Sequence, residues 1–472
     1  MSAPHAVISG ASIAGLSAAW WLRRTGWDVT VVERARAFRD GGQNVDVRGV
    51  AHEVLERMGL VDAVRAANTT ETGTVLVMKD GSVRAELPSD GPDGATAELE
   101  VLRGDFARIL RDDLPEGVVV VYGETISAVD DEDPAAVTVT TSSGRRLVAD
   151  LLVVAEGVRS TTRDLVFSRP DDVDPRDLGV TMAFGTIPRT AADDDRWRWY
   201  TAVGGRQVHL RPDPYGTTRA ILAYAGRDDL VGRDRPDVVA ALTRRYEGVG
   251  WETERVLDAF ADTDDLYVDQ LTQIRMPSWR RGRVAAIGDA AWCVTPMGGG
   301  GASLALTSGY VLAASLAGGG AGPVDGTDGP GHLDRAALDR ALAGFDDWMR
   351  PLVDAVQGIP DGMVRFAYPR SRVGLAARWV ADAVLLSTPL RKLAARMTQV
   401  ADTDRPLPPS RRPPAARRAG DGREARGGPA PRLPSGRGHV DVGTAASSTR
   451  RATSRAAARP ARFAPIVDCD GP

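Results

Sequence analysis

The stretch VISGASIAGL at residues 7–16, followed by DVTVVE at 28–33, decides the fold of this chain. The apolar residues before Gly10 predict a buried strand, and the run after Ser12 has helical composition. Gly10 permits a tight turn out of the strand, while Gly15 lets the helix pack closely on the sheet. The stretch therefore predicts a compact βαβ unit whose backbone N–H groups and helix N-terminus can meet a pyrophosphate.

An acidic residue closes the second strand of this unit. Glu33 lies 23 residues after Gly10, close to the offset of about 20 residues at which a carboxylate meets a ribose hydroxyl. Ser12 replaces the middle glycine of the usual motif and is small enough to let a phosphate approach. The pattern predicts dinucleotide binding but does not separate FAD from NAD. The residues of this unit that we expect at the cofactor are Gly10, Ser12, Ala14, Gly15, Glu33 and Arg34.

Length and composition are those of a globular protein with more than one domain. The chain has 472 residues, of which 43% are hydrophobic, and this length allows about two or three domains. Arg23 and Arg24 interrupt the first long apolar stretch, so no run approaches the ~20 uncharged residues of a spanning helix. Met1–His5 lacks the basic region of a secretory signal. We therefore expect a cytoplasmic protein without stable membrane insertion.

Charge and cysteine content argue against nucleic-acid binding, a disulfide framework and a metal site. Residues 405–472 contain 14 Arg and 5 acidic residues, a net charge of +9, so the rest of the chain carries −13. An acidic body argues against nucleic-acid binding. The two cysteines, Cys293 and Cys469, lie far apart in the sequence, which indicates neither a disulfide framework nor a metal site.

The pattern of the chain changes along its length. Apolar residues alternate around a turn at 79–81, which predicts a hairpin over Thr74–Leu87, and Leu178–Thr272 has the alternation of strands. Helical spacing follows from about Leu333 to Val400, and the composition after Arg405 cannot offset ordering entropy. We expect an α/β protein in which a Rossmann-like domain carries an inserted β-rich substrate domain, with C-terminal helices and a disordered tail. The boundaries are 1–73, 101–175 and 276–330 for the Rossmann-like domain, 74–100 and 176–275 for the substrate domain, 331–404 for the helical region and 405–472 for the tail.

Two later segments have a similar order of strand and glycine turn. Val284–Ile287 has the pattern of a buried strand that runs into Gly288-Asp289, and a glycine-rich turn then precedes a helix-like run. This order places a carboxylate near a phosphate-bearing partner and leaves backbone amides free to face a flat ring. Leu151–Ala155 is another buried strand, and it leads into Glu156-Gly157 before a helix that Ser160 can cap.

The order of these parts resembles the flavoprotein hydroxylases of the para-hydroxybenzoate hydroxylase type. The resemblance implies that the Rossmann-like domain binds FAD, that Asp289 contacts the ribityl chain, and that the glycine-rich turn lies along the isoalloxazine. It also implies that Glu156, which stands where the family has Asp, holds the local backbone for flavin and nicotinamide binding, with Arg163 packed back on it. The residues implied at the cofactor here are Glu156, Gly157, Gly288, Asp289, Gly299, Gly301 and Ala302.

The likeness covers about Ala6 to Met397 and points toward the tetracycline-inactivating branch. The loop after the second strand in that branch looks like GGQNVDVRG at residues 41–49. By position, Arg39 would meet NADPH and Asp46 the flavin, with Arg48 as a second candidate near the pyrophosphate. Arg103 matches the start of the family's Arg-initiated helix and would contact the FAD phosphates or the ribityl chain.

The activity that the resemblance implies is that of an FAD-dependent monooxygenase. In the mechanism of the family, NADPH or NADH reduces the flavin, O₂ adds at the C4a carbon, and the hydroperoxide delivers one oxygen to an electron-rich ring. One glycine motif of this kind is visible, which fits FAD held permanently and a nicotinamide that visits. We expect a small aromatic or polyketide-like substrate, O₂ as the oxidant, no nucleic acid, and a monomer or homodimer.

The residues also leave other classes open. A flavin-dependent halogenase or a prenyl reductase uses the same nucleotide fold, and a halogenase needs an active-site lysine and a Trp-x-Trp-x-Ile-Pro segment. Lys79 falls at the predicted hairpin turn, and RWRWY at 196–200 lacks the Ile-Pro. A flavin-binding protein that no longer turns over is a third class, which the altered residues Ser12, Glu156 and Trp292 would mark. Many members of the family have His where Trp292 stands and Asn where Ser303 stands.

Aromatic residues of the β-rich module are candidates for a pocket wall. An apolar pocket for a planar ligand could be lined by Trp197, Trp199, Tyr200, His209 and Tyr224. Alternating aromatic residues in strands more often pack in a core. The sequence identifies no catalytic base.

Overall fold

A computed structural model of the chain describes residues 3–39, 41–88, 99–318, 334–360, 362–385 and 403–410. The expected α/β class is confirmed, with two main sheets and two smaller ones among these residues. The strands are β1 His5–Ser9, β2 Asp28–Glu33, β3 Asn44–Val47, β4 Gly73–Val77, β5 Val83–Pro88, β6 Leu99–Leu102, β7 Val118–Tyr122, β8 Ile126–Asp130, β9 Val137–Thr141, β10 Arg146–Ala149, β11 Leu151–Val154, β12 Asp174–Pro188, β13 Trp197–Ala202, β14 Arg206–Pro212, β15 Thr217–Ala225, β16 Tyr267–Arg275, β17 Arg280–Arg281 and β18 Val284–Ala286. The helices are α1 Ile13–Arg24, α2 Val50–Met58, α3 Val61–Ala66, α4 Arg103–Asp112, α5 Thr161–Val166, α6 Arg235–Tyr246, α7 Thr253–Asp262, α8 Asp289–Trp292, α9 Thr295–Gly298, α10 Gly301–Gly318, α11 Arg335–Gln357, α12 Met363–Ala367 and α13 Arg372–Leu385.

The first main sheet contains the predicted βαβ unit. Its strand order is β17-β18-β11-β1-β2-β7, and the pairs from β18 to β7 are all parallel. Its central strands are continuous apolar runs, as a parallel sheet covered on both faces requires. Helix α1 packs directly on α10, because a Cβ on Gly309 would lie 2.4 Å from both Ala18 N and Ser17 Oγ. The backbones of these two helices therefore touch.

Helix α10 has the length and composition of a membrane span, but 72% of the helix is buried inside the protein. Ser17 Oγ of α1 donates a hydrogen bond to Leu306 O of α10 at 2.7 Å. Tyr310 in the same helix is fully buried. Helix α10 is thus a buried helix in the core that also contains the first main sheet.

The second main sheet has the order β16-β12-β15-β14-β13-β4-β5. Strands β4 and β5 form the predicted hairpin, and β4 also pairs in parallel with β13, far along the chain. The prediction of strands throughout Leu178–Thr272 was incomplete, because α6 and α7 form within it. Helix α7 buries Val256 and Phe260, four residues apart, on the sheet. These two helices cover one face of the sheet, and Met297 and Tyr368 pack against the other face.

A two-stranded sheet of β3 and β6 carries the loop at residues 41–49 and pairs in antiparallel register. Strands β8, β9 and β10 form a separate antiparallel sheet of three strands.

The C-terminal region is described in part. Helices α11 to α13 form within the predicted helical region, while most of the predicted tail lies outside the described residues. The start of the tail at Arg405 was placed too early. Leu407 is buried, Trp348 Nε1 donates to Pro406 O at 3.2 Å, and Tyr310 Oη donates to Pro408 O at 2.5 Å. These contacts hold the chain against α10 and α11 up to at least Pro408.

Candidate active site

The turn between β1 and α1 has a shape that only glycine adopts without strain. Gly10 has φ +104°, and a Cβ there would lie 2.5 Å from Ala155 O. A Cβ on Gly15 would lie 1.9 Å from Gly10 O, so strand and helix meet with no side chain between them. Ser12 is exposed before the first turn of α1, and its side chain makes no capping bond. The N–H groups of that turn stay available to an anion.

Glu33 joins this turn to the end of β2. Its two carboxylate oxygens accept hydrogen bonds from Ala11 N and Ala35 N, each at 2.8 Å. An ionised carboxylate has further lone pairs, so a ribose hydroxyl can still bind here. Arg34 and Arg39 follow the strand with exposed side chains, and their contacts with the cofactor stay predictions.

The Gly-Asp segment reaches the same turn from the neighbouring strands. Ile287 N donates to Val154 O at 2.9 Å, which extends the parallel pairing of β18 to the edge of the sheet. Gly288 has φ +60°, and a Cβ there would lie 2.7 Å from Ala14 Cβ. The two segments are far apart in sequence but in direct contact in the fold.

Asp289 lies in a hollow that remains open to solvent. The protein around it desolvates the carboxylate and raises its pKa, the Arg103 guanidinium opposes this rise, and the charge of Asp269 adds to it. A Cβ on Gly301 would lie 3.9 Å from Asp289 Oδ1, which places the first turn of α10 beside the carboxylate. We call this hollow, bordered by the Gly10 turn, Asp289, Arg103 and Gly301, the cleft.

The glycine-rich turn before α10 keeps side chains away from the cleft. Gly299 and Gly300 have φ +68° and +65°, and Ala302 follows as a small, half-buried residue in α10. A flat ring can therefore approach the backbone at this point.

The loop at residues 41–49 is tied to both neighbouring helices. Arg103 N, at the start of α4, donates to Gln43 O at 2.9 Å. Ser303 Oγ, in the first turn of α10, accepts from Arg48 N and donates to Asp46 O, each at 3.0 Å. Asp46 and Arg48 also form an ion pair at 3.0 Å. Ser303 thus carries out a bridging role with its hydroxyl alone.

The structure places Glu156 within a shell of hydroxyl groups. It accepts from Ser9 Oγ, from Ser160 Oγ at 2.7 Å and from Thr162 N at 3.0 Å. Burial opposes ionisation, but these hydrogen bonds outweigh it and lower the pKa of Glu156. Glu156 therefore holds the local backbone, and Gly157 beside it adopts φ +87°.

The expected packing of Arg163 on Glu156 was wrong. Arg163 Nη1 donates to Val158 O at 2.9 Å and to Ala290 O at 3.3 Å, and Nε donates to Asp164. Hydroxyl and backbone donors already bind the Glu156 carboxylate, so the guanidinium connects α5 to the Gly-Asp segment instead. Ser160 does cap α5, since its Oγ accepts from Arg163 N at 3.1 Å.

Strand β16 adds residues that the sequence did not identify. Asp269 Oδ1 accepts from Arg159 Nη2 at 2.6 Å, which joins the seven-stranded sheet to the loop after Glu156. We call this seven-stranded sheet the substrate sheet, after the role that the sequence predicts for it. Tyr267 stacks on Phe184 with ring centroids 4.8 Å apart and is still 40% exposed. Burial raises the pKa of Tyr267 to about 12, although Arg103 opposes the rise. Only the alternation of residues 267–275 signalled these side chains, and a bulge in the β12–β16 pairing hid which of them share a face.

An aromatic row crosses the face of the seven-stranded sheet that α6 and α7 leave uncovered. The register places its members side by side on neighbouring strands, in the order Trp199, His209, Ile221, Phe184 and Tyr267. Neighbouring members are about 5 Å apart, so the row forms a continuous wall. Of the five predicted pocket residues, Tyr200 and Tyr224 lie on the opposite face and pack under the helices.

His209 is a neutral member of this row. Trp197 Nε1 donates to His209 Nδ1 at 3.2 Å, so Nε2 carries the proton and donates to Gln207 Oε1 at 3.1 Å. Burial lowers the pKa of His209 to about 3, and Arg211 adds to this effect. The imidazole therefore shapes the wall and does not supply a proton near neutral pH.

The cleft fits a flavin dinucleotide. Gln43 Oε1 and Thr295 Oγ1 are buried but have no hydrogen-bond partner among the described residues. Thr295 also has φ +64°, a strained backbone for a β-branched residue of the kind that clusters at functional sites. The Gly10 turn suits a pyrophosphate, Glu33 a ribose and Asp289 the ribityl hydroxyls. In the described part of the chain, no cluster of His, Cys, Asp and Glu could hold a metal.

Known proteins agree with this assignment. The family model FAD_binding_3, described as an FAD binding domain, matches residues 4–344. The uncharacterized protein MT1298 of Mycobacterium tuberculosis is 36% identical over 320 residues, which are 66% of this chain and 84% of that protein. The flavin-dependent monooxygenase eupH of Phoma sp is 33% identical over 394 residues, 79% of this chain and 90% of that protein.

A solved structure is similar over most of the chain. The crystal structure of the tetracycline destructase Tet(51) has a TM-score of 0.69 and 25% identity, and the match covers 87% of this chain and 99% of that one. Together with the glycine turns and Asp289 around one cleft, this agreement settles the family. The chain belongs to the FAD binding domain family FAD_binding_3 and is a flavin-dependent monooxygenase, an oxidoreductase that carries FAD.

Proposed function

We propose that the protein uses NADPH or NADH and O₂ to hydroxylate an aromatic or polyketide-like small molecule, by the C4a-hydroperoxide route that the family resemblance implies. One observation carries this proposal. The cleft has the glycine turns and Asp289 at the edge of the first main sheet and lies next to strand β16, whose Tyr267 ends the aromatic row. A planar ligand on this row would lie beside the place where the flavin ring is expected.

The chemistry of the wall supports a flat substrate with more than one ring. Aromatic and aliphatic side chains offer stacking area at low entropic cost, and His209 stays neutral. Polar groups stand at one end of the row, where Asp269 and Arg159 form their ion pair. The solved relative Tet(51) is named as a tetracycline destructase, which favours a multi-ring substrate for this chain as well.

Bound FAD supplies the redox chemistry, in which NAD(P)H, a proton, O₂ and an aromatic C–H bond give NAD(P)⁺, water and a phenolic C–O–H group. The chain binds and orients the reactants. The Gly10 turn and the N-terminus of α1 bind the pyrophosphate, and the aromatic row fixes the plane of the substrate. Apolar residues such as Met182 and Leu271 beside the row keep water away from the reacting ring.

The halogenase alternative has no support from the position of Lys79, the only lysine among the described residues. Lys79 Nζ donates to Gly248 O at 3.4 Å, and a Cβ on Gly250 would lie 2.5 Å from Lys79 Cε. Lys79 therefore packs at the β4–β5 turn against the loop between α6 and α7. Lys392 lies outside the described residues.

The test begins with purified protein and its visible spectrum. We expect a yellow protein with the absorption of oxidised flavin, and consumption of NADPH or NADH that speeds up when a substrate binds. A panel of phenols, anthraquinones and tetracyclines should include a ligand that gains one oxygen atom, and ¹⁸O₂ should label that atom. If no ligand gains oxygen while NAD(P)H consumption is unaffected by any of them, the hydroxylase proposal fails. Reduction of an isoprenoid double bond would favour a prenyl reductase instead.

A cytoplasmic location and a monomeric or homodimeric state belong to the same proposal. Cell fractionation and light scattering of the purified protein would check them. Recovery in the membrane fraction after a salt wash, or an assembly larger than a dimer, would contradict these two parts.

A further inference from the structure

A buried charge cluster lies between the β3–β6 sheet and the substrate sheet, and the activity proposed above does not use it. Arg211 Nε donates to Glu71 Oε2 at 2.9 Å, and Arg211 Nη2 donates to Glu100 Oε1 at 2.6 Å. The side chains of Glu71, Glu100 and Arg211 are only 0%, 2% and 11% exposed. One cation therefore serves two buried carboxylates.

The negative charge of this cluster is in excess. Asp46 stands directly opposite Glu100 in the β3–β6 register, so a third carboxylate is on the same side of the small sheet. Arg48 pairs with Asp46 at 3.0 Å, and Asn44 Nδ2 donates to Glu100 Oε1 at 2.6 Å. When all groups are ionised, the buried Glu71, Glu100 and Arg211 sum to −1, which is costly in a buried place, and the partly exposed pair of Asp46 and Arg48 adds no net charge.

Two buried carboxylate oxygen atoms in the cluster can carry a proton. Glu71 Oε1 and Glu100 Oε2 are buried and have no hydrogen-bond partner among the described residues. Burial raises the pKa of Glu71 to about 7, with Arg211 opposing and Glu100 and Asp46 adding to the rise. Burial also raises the pKa of Glu100, again against Arg211 and with Asp46. One proton on the pair would bring the five groups to neutrality.

The cluster connects both sides of the active site. Toward the cofactor, Asp46 and Arg48 are bound to Ser303 at the first turn of α10. Toward the substrate, the Arg211 guanidinium lies 4.1 Å from the Trp197 ring centroid, and Trp197 holds His209 in its tautomer. These contacts connect the carboxylate pair to the loop beside the expected flavin and to the aromatic row.

We propose that Glu71 and Glu100 share one exchangeable proton, and that Arg211 is a positioning residue that uses this pair to hold the β3–β6 sheet against the substrate sheet. The proton exchanges with water, and no bond other than O–H forms or breaks. The link to the flavin rests on the proposed function, whereas the shared proton does not.

Infrared spectroscopy of the full-length holoenzyme tests the proton directly. Between pH 5 and 9 we expect a carbonyl band of a protonated carboxylic acid that fades with a midpoint near pH 7, since the pKa of Glu71 is raised to about 7. Glu71→Gln and Glu100→Gln should each remove the band, because either variant leaves one carboxylate that pairs fully with Arg211. Asp346→Asn is the matched control, since Asp346 is a separate carboxylate whose pKa is raised to about 6 by burial. That variant should remove only its own band at lower pH.

Arg211→Lys tests the positioning role. A point charge cannot fork between two carboxylates as guanidinium does, so the midpoint of the band should move to higher pH. The absorption spectrum of the bound flavin should change over the same pH range in the parent protein and stay constant in Glu71→Gln. A band that is absent in the parent, or that survives in both Gln variants, would overturn the shared proton. A flavin spectrum without this pH dependence would overturn the coupling alone, and failure of substrate-stimulated NAD(P)H consumption would affect only the proposed function.

Discussion

Replacing Gly288 by Ala tests whether the two glycine segments meet as the structure shows. Gly288 has φ +60° and ψ −150°, a backbone region that is essentially restricted to glycine, and a side chain there costs about 1–3 kcal/mol. The new Cβ would lie 2.7 Å from Ala14 Cβ, and neither atom can rotate away because both are fixed to the backbone. Overpacking of this kind costs about 1–3 kcal/mol more. We expect Gly288→Ala to lower the free energy of unfolding by about 2–6 kcal/mol.

Two companion variants separate the backbone cost from the clash. Gly144 also has a positive φ, +84°, but a Cβ there would meet nothing within 4 Å. Gly144→Ala should therefore cost only the backbone contribution of about 1–2 kcal/mol. The double variant Ala14→Gly/Gly288→Ala removes the clash and should recover about 1–3 kcal/mol relative to the sum of the single variants.

Urea unfolding gives these free energies, and flavin fluorescence gives the Kd of FAD. If the clash pushes α1 away from α8, its cost of about 1–3 kcal/mol appears as FAD binding that is about 5- to 150-fold weaker. The double variant should regain most of this affinity. The reasoning is refuted if Gly288→Ala weakens FAD no more than Gly144→Ala, or if Ala14→Gly brings no recovery.

Three further outcomes follow from the contacts of the site. Ser303→Ala removes the hydrogen bond accepted from Arg48 N and the one donated to Asp46 O, so the free energy of unfolding should fall by about 1–3 kcal/mol and FAD should bind more weakly. Equal FAD affinity in Ser303→Ala would contradict the bridging role. Glu156 has a lowered pKa, so its contribution to stability is present above its unfolded value of 4.5 and is lost as the pH falls through the folded pKa. Urea unfolding below pH 4.5 should show a smaller loss in Glu156→Gln, and identical pH curves would contradict this account. His209 is held neutral with a pKa of about 3 instead of 6.5, so the unfolded chain takes up the proton first. The free energy of unfolding should fall by about 2 kcal/mol from pH 7 to 5. His209→Phe should not show this fall, and a pH curve of the variant that runs parallel to that of the parent would disprove the explanation.

Local patterns were sufficient for the frame of this protein. Alternation of apolar residues predicted the β4–β5 hairpin, and buried strands followed by glycine predicted the turns at Gly10 and Gly288. Such features depend on backbone conformation and on neighbours a few residues away, which a sequence displays directly. The family resemblance then predicted FAD as the cofactor, because Asp289 and Arg103 occur at the matching positions in the chain.

Long-range pairing decided what the sequence left open. Arg163 donates to Ala290 O and not to Glu156, because hydroxyl groups already donate to the Glu156 carboxylate. Tyr267 and Tyr224 look alike in the sequence, yet one faces the cleft and the other packs beneath the helices.

The buried pairing of Arg211 with two glutamates was equally hidden. A one-residue change of register moves a side chain to the other face of a sheet, and register depends on partners far along the chain. The residues themselves thus determined the α/β class and the cofactor-binding turns, whereas only the tertiary structure decided which side chains share the active site and which charges are buried together.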